Sequence, residues 1–311
     1  MIKEKITKAG KLLNTDFYPC FDNGRKIPTK PPKKQGSTEA QKKYNENQSV
    51  KQAVYIVNEN FDSNDIILSL TFKPENAPQD EDELHRLVRN YFNRLKRLRK
   101  KELIKVKKLL KALPDNEVFD SQRKELELKK SKLESPFKYF YTKEEEEYKR
   151  GQYKGRKNFH PHIFITGGID RNVLEELWPY GARCNADRFQ PDRFGPETMA
   201  KYMMKDPKGY RRFCCSRTIS RTYKQTKVKN SRFSKRTLAQ LSQERSEDKQ
   251  YWEKRYPGYR FVRAFPRYNE YNSHWYLTVV MYAAGDGPVP KWDMDNWPND
   301  DWQNERCQVC S

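Results

Sequence analysis

The stretch Phe159-His160-Pro161-His162-Ile163-Phe164-Ile165-Thr166 decides how this chain reads. Its β-branched and aromatic residues predict a strand, and residues i and i+2 of a strand point to one face. His160 and His162 are therefore expected side by side, close enough for both imidazoles to reach one ion. The chain holds 4 histidines in 311 residues, so two at this spacing form a pattern rather than background. Forty residues on comes Tyr202-Met203-Met204-Lys205. On a helix from Glu197 to Lys205, Met199, Ala200, Met203 and Met204 gather on one side, and Lys201, Tyr202 and Lys205 on the other. The phenol is thus expected to face out, one turn from an ammonium that favours phenolate or steadies a phosphate oxygen.

Outward from the histidines, Phe137 to Tyr141 reads as the partner strand of a hairpin, followed by Glu144 to Glu147. A divalent cation held by His160 and His162 needs at least one carboxylate more. Glu144 and Glu145 are the first choices from the four-fold run, whose register composition leaves open. The ion is Mg²⁺ or Mn²⁺: imidazole favours Mn²⁺, and cellular abundance favours Mg²⁺. Such an ion would polarise a phosphate for attack by a phenol, a poor nucleophile by itself at neutral pH. Structural zinc on the same two histidines is the competing reading, weakened because no cysteine lies near in sequence.

The net charge of +21, from 63 Lys and Arg against 42 Asp and Glu, exceeds what solubility requires and points to a polyanionic partner, nucleic acid first. Between Pro207 and Arg236 stand 11 Lys or Arg and no acid. Arg211, Arg212, Arg217, Arg221 and Lys224, with Tyr210 and Phe213, are the expected contacts to a single strand, cations on phosphates and rings on bases. A solvated linker is the alternative for this run. No apolar run approaches a membrane span and the N-terminus has no apolar signal core, so the expected location is the cytoplasm, with no membrane partner. The 6 cysteines show no framework spacing, and the Cys307/Cys310 pair is read as incidental thiols.

The expected organisation is a flexible basic arm over 1–50, a main domain over 51–236, an α/β extension over 237–285 and an acidic, Trp-containing tail over 286–311. Within the main domain Ala53 to Val57 and Ile66 to Phe72 read as strands. A strong amphipathic helix starts near Asp82, and 99–135 reads as a helical hairpin broken at Pro114-Asp115 and projecting from the core. Val173 to Trp178 and the segment opening at Gly195-Pro196-Glu197 read as helices, 238–255 as one polar helix, and Tyr259 to Phe265 with Trp275 to Tyr282 as strands. The fold class is α+β: a central antiparallel sheet flanked by helices, with a helical insertion and charged extensions.

The order Ile67-Leu68-Ser69-Leu70-Thr71-Phe72, His160-Pro161-His162, Tyr202-Met203-Met204-Lys205 resembles the three motifs of the HUH endonucleases, specifically rolling-circle replication initiators of small plasmids and phages. Trp178-Pro179-Tyr180-Gly181 and Ser216-Arg217 are similar to that group as well. The resemblance covers about Ile66 to Arg221. It implies histidines on a central strand and a tyrosine on an adjacent helix. It further implies nicking of single-stranded origin or origin-hairpin DNA through a 5′-phosphotyrosine, with His160 and His162 as metal ligands, Tyr202 as the single nucleophile and Lys205 as accessory cation. A host helicase or polymerase would be a further partner. A transposase or relaxase shares this chemistry, and a non-catalytic nucleic-acid binder with structural histidines is the reading from another class. Pro161 departs from the family pattern: it removes a ladder donor, so the strand is expected to bulge there or to begin only at His162.

Overall fold

The computed structural model describes residues 1–20, 39–114, 117–181, 184–189, 200, 203–204, 212–220 and 225–285. In chain order the elements are β1 (Ile2–Ala9), β2 (Leu12–Pro19), α1 (Glu39–Asn60), β3 (Ile66–Leu70), α2 (Glu81–Ala112), α3 (Asp120–Glu134), β4 (Tyr139–Glu147), β5 (Lys157–Ile165), α4 (Arg171–Glu176), β6 (Cys184–Arg188), β7 (Cys214–Cys215), β8 (Gln225–Asn230), α5 (Lys235–Glu244), α6 (Lys249–Arg255), β9 (Tyr259–Asn269) and β10 (His274–Ala283). The fold is α+β, with two five-stranded antiparallel sheets and helices against them. Among the described residues no helix is long and apolar enough to cross a membrane.

The chain divides into two compact units. One comprises Glu46–Asp192 and Pro196–Ser220; the other comprises Met1–Asn45, Arg193–Gly195 and Arg221–Ser311. The first, the histidine unit, carries the sheet β6-β3-β5-β4-β7. One face packs on α2, whose Leu84, Val88, Tyr91, Phe92 and Leu95 meet Leu68, Leu70, Phe159, Ile163 and Ile165 of the strands. Asp80 caps α2 by accepting from the Glu83 amide at 2.8 Å, and Glu81, Asp82 and Glu83 complement the positive end of the helix. α2 runs 32 residues, far past the sheet, and α3 returns along it, as the broken Lys/Glu/Leu pattern predicts. The hairpin is nevertheless anchored in the core. Arg99 is 4% exposed, and its guanidinium donates to the carbonyls of Gly167 at 2.5 Å, Lys132 at 2.7 Å, Ser135 at 3.2 Å and Leu133 at 3.3 Å.

Two expectations for the N-terminal third are corrected. Of residues 1–50, the described 1–20 and 39–50 are not a flexible arm: β1 and β2 form a two-residue hairpin in which Gly10, at φ 55°, takes the first turn position, and α1 begins at Glu39. The Pro28 to Lys34 stretch lies outside the described residues. Ala53 to Val57 is not a strand but the last turns of α1, where Ala53, Val54, Ile56, Val57 and Phe61 are buried at helical spacing.

The terminal unit joins the first nineteen residues to segments that follow residue 224. Its sheet has the order β8-β1-β2-β10-β9, so the N-terminal hairpin lies between strands that follow residue 224. The segment expected as a separate 237–285 extension therefore completes a sheet with the first nineteen residues, and β8 belongs to this unit rather than to a main domain ending at 236. The expected helix over 238–255 is two helices. Ser234 caps α5 by accepting from Thr237, and Asp248 caps α6 by accepting from Tyr251, each at 3.0 Å. Leu238, Leu241, Trp252 and Tyr256 cover Ile2, Ile6, Leu13, Phe17, Leu277 and Val279. The acidic tail, with Cys307 and Cys310, lies outside the described residues.

Candidate metal centre and its surroundings

Strand pairing settles which side chains stand with the histidines. β5 lies between β3 and β4, with Ser69 opposite His162, Thr142 opposite His162 and Glu144 opposite His160. Facing residues of antiparallel strands share a side, so Asn158, His160, His162, Ser69, Thr142, Glu144 and Glu146 form one polar surface on the side away from α2. β6 extends it, with Asn185 opposite Ser69. Asn185, Ser69, His162 and Thr142 thus make one row across four strands. The next row toward the β3 start is apolar in its centre, Ile67, Phe164 and Phe140, and ends on β6 in Asp187; Phe61, Phe189 and Phe213 pack on Phe164 or Phe140 at centroid distances of 5.2 to 5.5 Å.

Pro161 neither bulges nor shortens the strand. It stays in register opposite Lys143, while the β3 ladder ends one pair earlier, at Ser69 and His162. Pro161 thus has a registered neighbour on one side only.

The same alternation separates the two glutamates. Glu144 shares the histidine face, its Oε2 3.4 Å from His162 Nε2. Glu145 points to the α2 side and pairs with Lys157 at 2.9 Å, so it does not stand with the histidines. Lys143, also on the α2 side, is buried and paired with Glu81.

His162 is oriented from behind: its Nδ1 lies 3.1 Å from Ser69 Oγ, which leaves Nε2 directed at the Glu144 side. Supporting bonds of this kind fix the tautomer and aim of a metal-ligating imidazole. His160 is half-buried, and burial lowers its pKa against the opposing pull of Glu146 and Glu144, so the ring favours its neutral, ligating form. Its Nε2 lies 2.9 Å from Asn158 Nδ2. Thr142 Oγ1 and Asn158 Oδ1 are buried oxygens with no hydrogen-bond partner among the described residues. Two imidazoles, the carboxylates of Glu144 and Glu146 and two unsatisfied oxygens share one face, donor types that suit a hydrated Mg²⁺ or Mn²⁺. Among the described residues no three His, Cys, Asp or Glu side chains are gathered tightly enough to count as an assembled metal site.

The tyrosine helix is described at three positions. Ala200, Met203 and Met204 are buried, and the Met204 amide donates to the Ala200 carbonyl at 3.2 Å, the helical pattern expected of the apolar side. Tyr202 and Lys205 lie outside the described residues, as do Arg211, Arg221, Lys224 and Tyr210.

The other expected strand contacts are placed as follows. Arg212 is tied to α1, donating to Ser49 Oγ at 3.1 Å and lying 3.7 Å from Glu46. Phe213 is half-buried against Phe140. Arg217 is on the α2 side, where with Arg89, His85, Tyr139 and Tyr141 it lines a cavity of about 330 Å³. Of these three, Phe213 is on the histidine side of the sheet, against the apolar row, and Arg217 is on the other side. Trp178 and Gly181 have packing roles: Trp178 donates to the Thr71 carbonyl at 2.9 Å between Phe72 and Tyr91, and a Cβ on Gly181 would collide with Trp178 and that same carbonyl.

Sequence reasoning passed over Ser69, Thr142, Asn158 and Asn185. Only Ser69 carried a local signal, as the one hydroxyl inside the run Ile66 to Leu70. Comparison with protein-family models, with curated proteins and with solved structures finds no match for this chain.

Proposed function

We propose that this protein is a metal-dependent, single-strand-specific DNA nickase and strand transferase that initiates rolling-circle replication. The observation that carries this reading is the common face of His160, His162 and Glu144 on adjoining central strands, with Ser69 behind His162. His160, His162 and Glu144 would hold Mg²⁺ or Mn²⁺, which supplies Lewis acidity to the scissile phosphate when bound. Tyr202 is the proposed nucleophile: its oxygen forms a bond to phosphorus, its proton leaves, and the bond to the 3′-oxygen breaks, giving a 5′-phosphotyrosine and a free 3′-hydroxyl. Lys205 is the cation proposed to assist ionisation of that phenol. The net charge of +21 suits a polyanionic substrate.

A second reading, a nucleic-acid binder without catalysis, needs only the net charge of +21, with His160 and His162 as structural residues. One experiment separates the two. The protein is incubated in Mn²⁺ with a labelled, random-sequence library of single-stranded DNA, and covalent adducts are resolved on a denaturing gel. An adduct that disappears in Tyr202→Phe and His160→Ala, with DNA retention by both variants unchanged, supports the nickase. Retention without any adduct in the wild type would overturn it.

A further inference from the structure

The terminal unit presents a second surface with its own chemistry. Strand pairing assigns its faces. Ile2, Ile6, Leu13, Phe17, Leu277 and Val279 point to the helices, so the alternate residues of β1, β2, β10 and β9 point the other way. On that outer face the charges are Lys3, Lys5, Arg260, Arg263 and Arg267 against one carboxylate, Asp16. Asp16 is held locally: the Thr278 hydroxyl donates to it at 2.6 Å and the Asn14 amide at 3.2 Å.

Aromatic rings stand among these cations. Tyr18 is opposite Lys3, Phe265 opposite Thr278 and Tyr276 opposite Arg267. Arg263 lies over the Phe265 ring at 4.9 Å, and Arg267 over Tyr276 at 5.3 Å. The face is not uniform. Toward the Gly10 turn Thr7, Asn14 and Val280 are buried, whereas toward the other end Phe265 is 44% exposed, Arg267 is exposed and Lys3, Lys5, Tyr18 and Tyr276 are half-exposed. A carboxylate-poor sheet surface that sets cations beside aromatic rings attracts polyanions, and among these it suits one that also offers flat, unstacked rings. Phosphates spaced along a flexible chain meet the cations, and unstacked bases meet the rings. A duplex keeps its bases stacked on one another and offers the rings nothing.

We infer that the outer face of the β8-β1-β2-β10-β9 sheet is a binding platform for single-stranded nucleic acid, with Phe265 and Tyr276 as stacking residues and Lys3, Arg263 and Arg267 as phosphate contacts. The platform lies in a different unit from the histidines and holds a strand without cutting it, so its standing is independent of the proposed nickase.

The test uses the full chain in EDTA, with fluorescent oligothymidine and oligouridine probes and a duplex control. Phe265→Ala/Tyr276→Ala is expected to weaken oligothymidine binding about ten-fold or more. Arg267→Ala is expected to flatten the dependence of affinity on salt by about one phosphate contact. Tyr271→Ala, whose ring is 99% exposed in the β9–β10 loop, serves as the control and is expected to bind as wild type does. Equal weakening of both probes means that stacking and phosphates carry the affinity; weakening of one alone means that the sugar is read as well, and either result upholds the platform. Unchanged binding of both probes by a double variant that melts as the wild type does would overturn it. The two readings fail separately: a wild type that forms no covalent adduct while Phe265→Ala/Tyr276→Ala weakens oligothymidine binding sinks the nickase alone, and an adduct in the wild type with unchanged binding by that double variant sinks the platform alone.

Discussion

At the residue scale, the difference between Glu144 and Glu145 shows what a sequence can and cannot specify. Four consecutive glutamates are interchangeable by composition, and only the pairing of β4 with β5 gives them opposite sides. The pair His160 and His162 was legible because i and i+2 share a face in any strand. The third donor was not, because register is a property of two strands. Glu144→Gln is therefore expected to weaken Mn²⁺ binding clearly, and Glu145→Gln to leave it as in wild type, by calorimetric titration. Ser69→Ala removes the oxygen beside His162 Nδ1 and should cost about ten- to a hundred-fold in Mn²⁺ affinity. Equal effects of the two glutamate variants would show that the pairing described here does not govern the site.

At the scale of elements, α2 and the β4–β5 hairpin followed from periodicity, since Leu84, Leu87, Val88, Tyr91, Phe92 and Leu95 recur at three and four residues and are buried. α1 was misread because only its last turns are apolar. A short β-branched run such as Val54 to Val57 does not by itself distinguish a strand from the buried end of a helix. Arg99 was illegible for the opposite reason. It stands among ten other basic residues from Arg86 to Lys108, a run whose charge belongs in water, whereas its guanidinium joins the α3 end to the loop after β5. Burial lowers the Arg99 pKa while Asp65 opposes the shift, and the planar fork of donors serves several carbonyls at once. Arg99→Met keeps much of the volume but strands those carbonyls, and is expected to lower unfolding free energy by about 3 kcal/mol or more in urea titrations. Arg97→Met, two residues away and exposed, is expected to change it by less than about 0.5 kcal/mol.

At the scale of the molecule, the terminal unit is assembled from segments more than 200 residues apart, and one buried cluster shows how they are joined. Glu4 of β1 is fully buried; Arg255 Nη2 donates to its Oε2 and the Tyr256 hydroxyl to its Oε1, both at 2.9 Å. Burial alone would lower the Arg255 pKa, but Tyr256 and Glu4 reverse the shift and keep it charged, while Phe233 lies 4.8 Å beneath the guanidinium. The residue that makes Met1-Ile2-Lys3-Glu4-Lys5 look like a charged arm is thus the one most deeply buried, and its partner lies at the far end of the sequence. No local pattern could show that. The cost of desolvating two ions is offset only while both are present. Arg255→Met alone is therefore expected to destabilise by about 3–5 kcal/mol, because it leaves a buried carboxylate with Tyr256 as its main donor, and Glu4→Leu by a similar amount. In Glu4→Leu/Arg255→Met the two losses should not add: an apolar pair of similar volume restores most of the stability. A double-mutant cycle in urea, with amide exchange of β1 and β10 as the local readout, measures that coupling. Simple additivity would mean that β1 and α6 are held by the surrounding apolar core, and that Glu4 and Arg255 do not act as a unit.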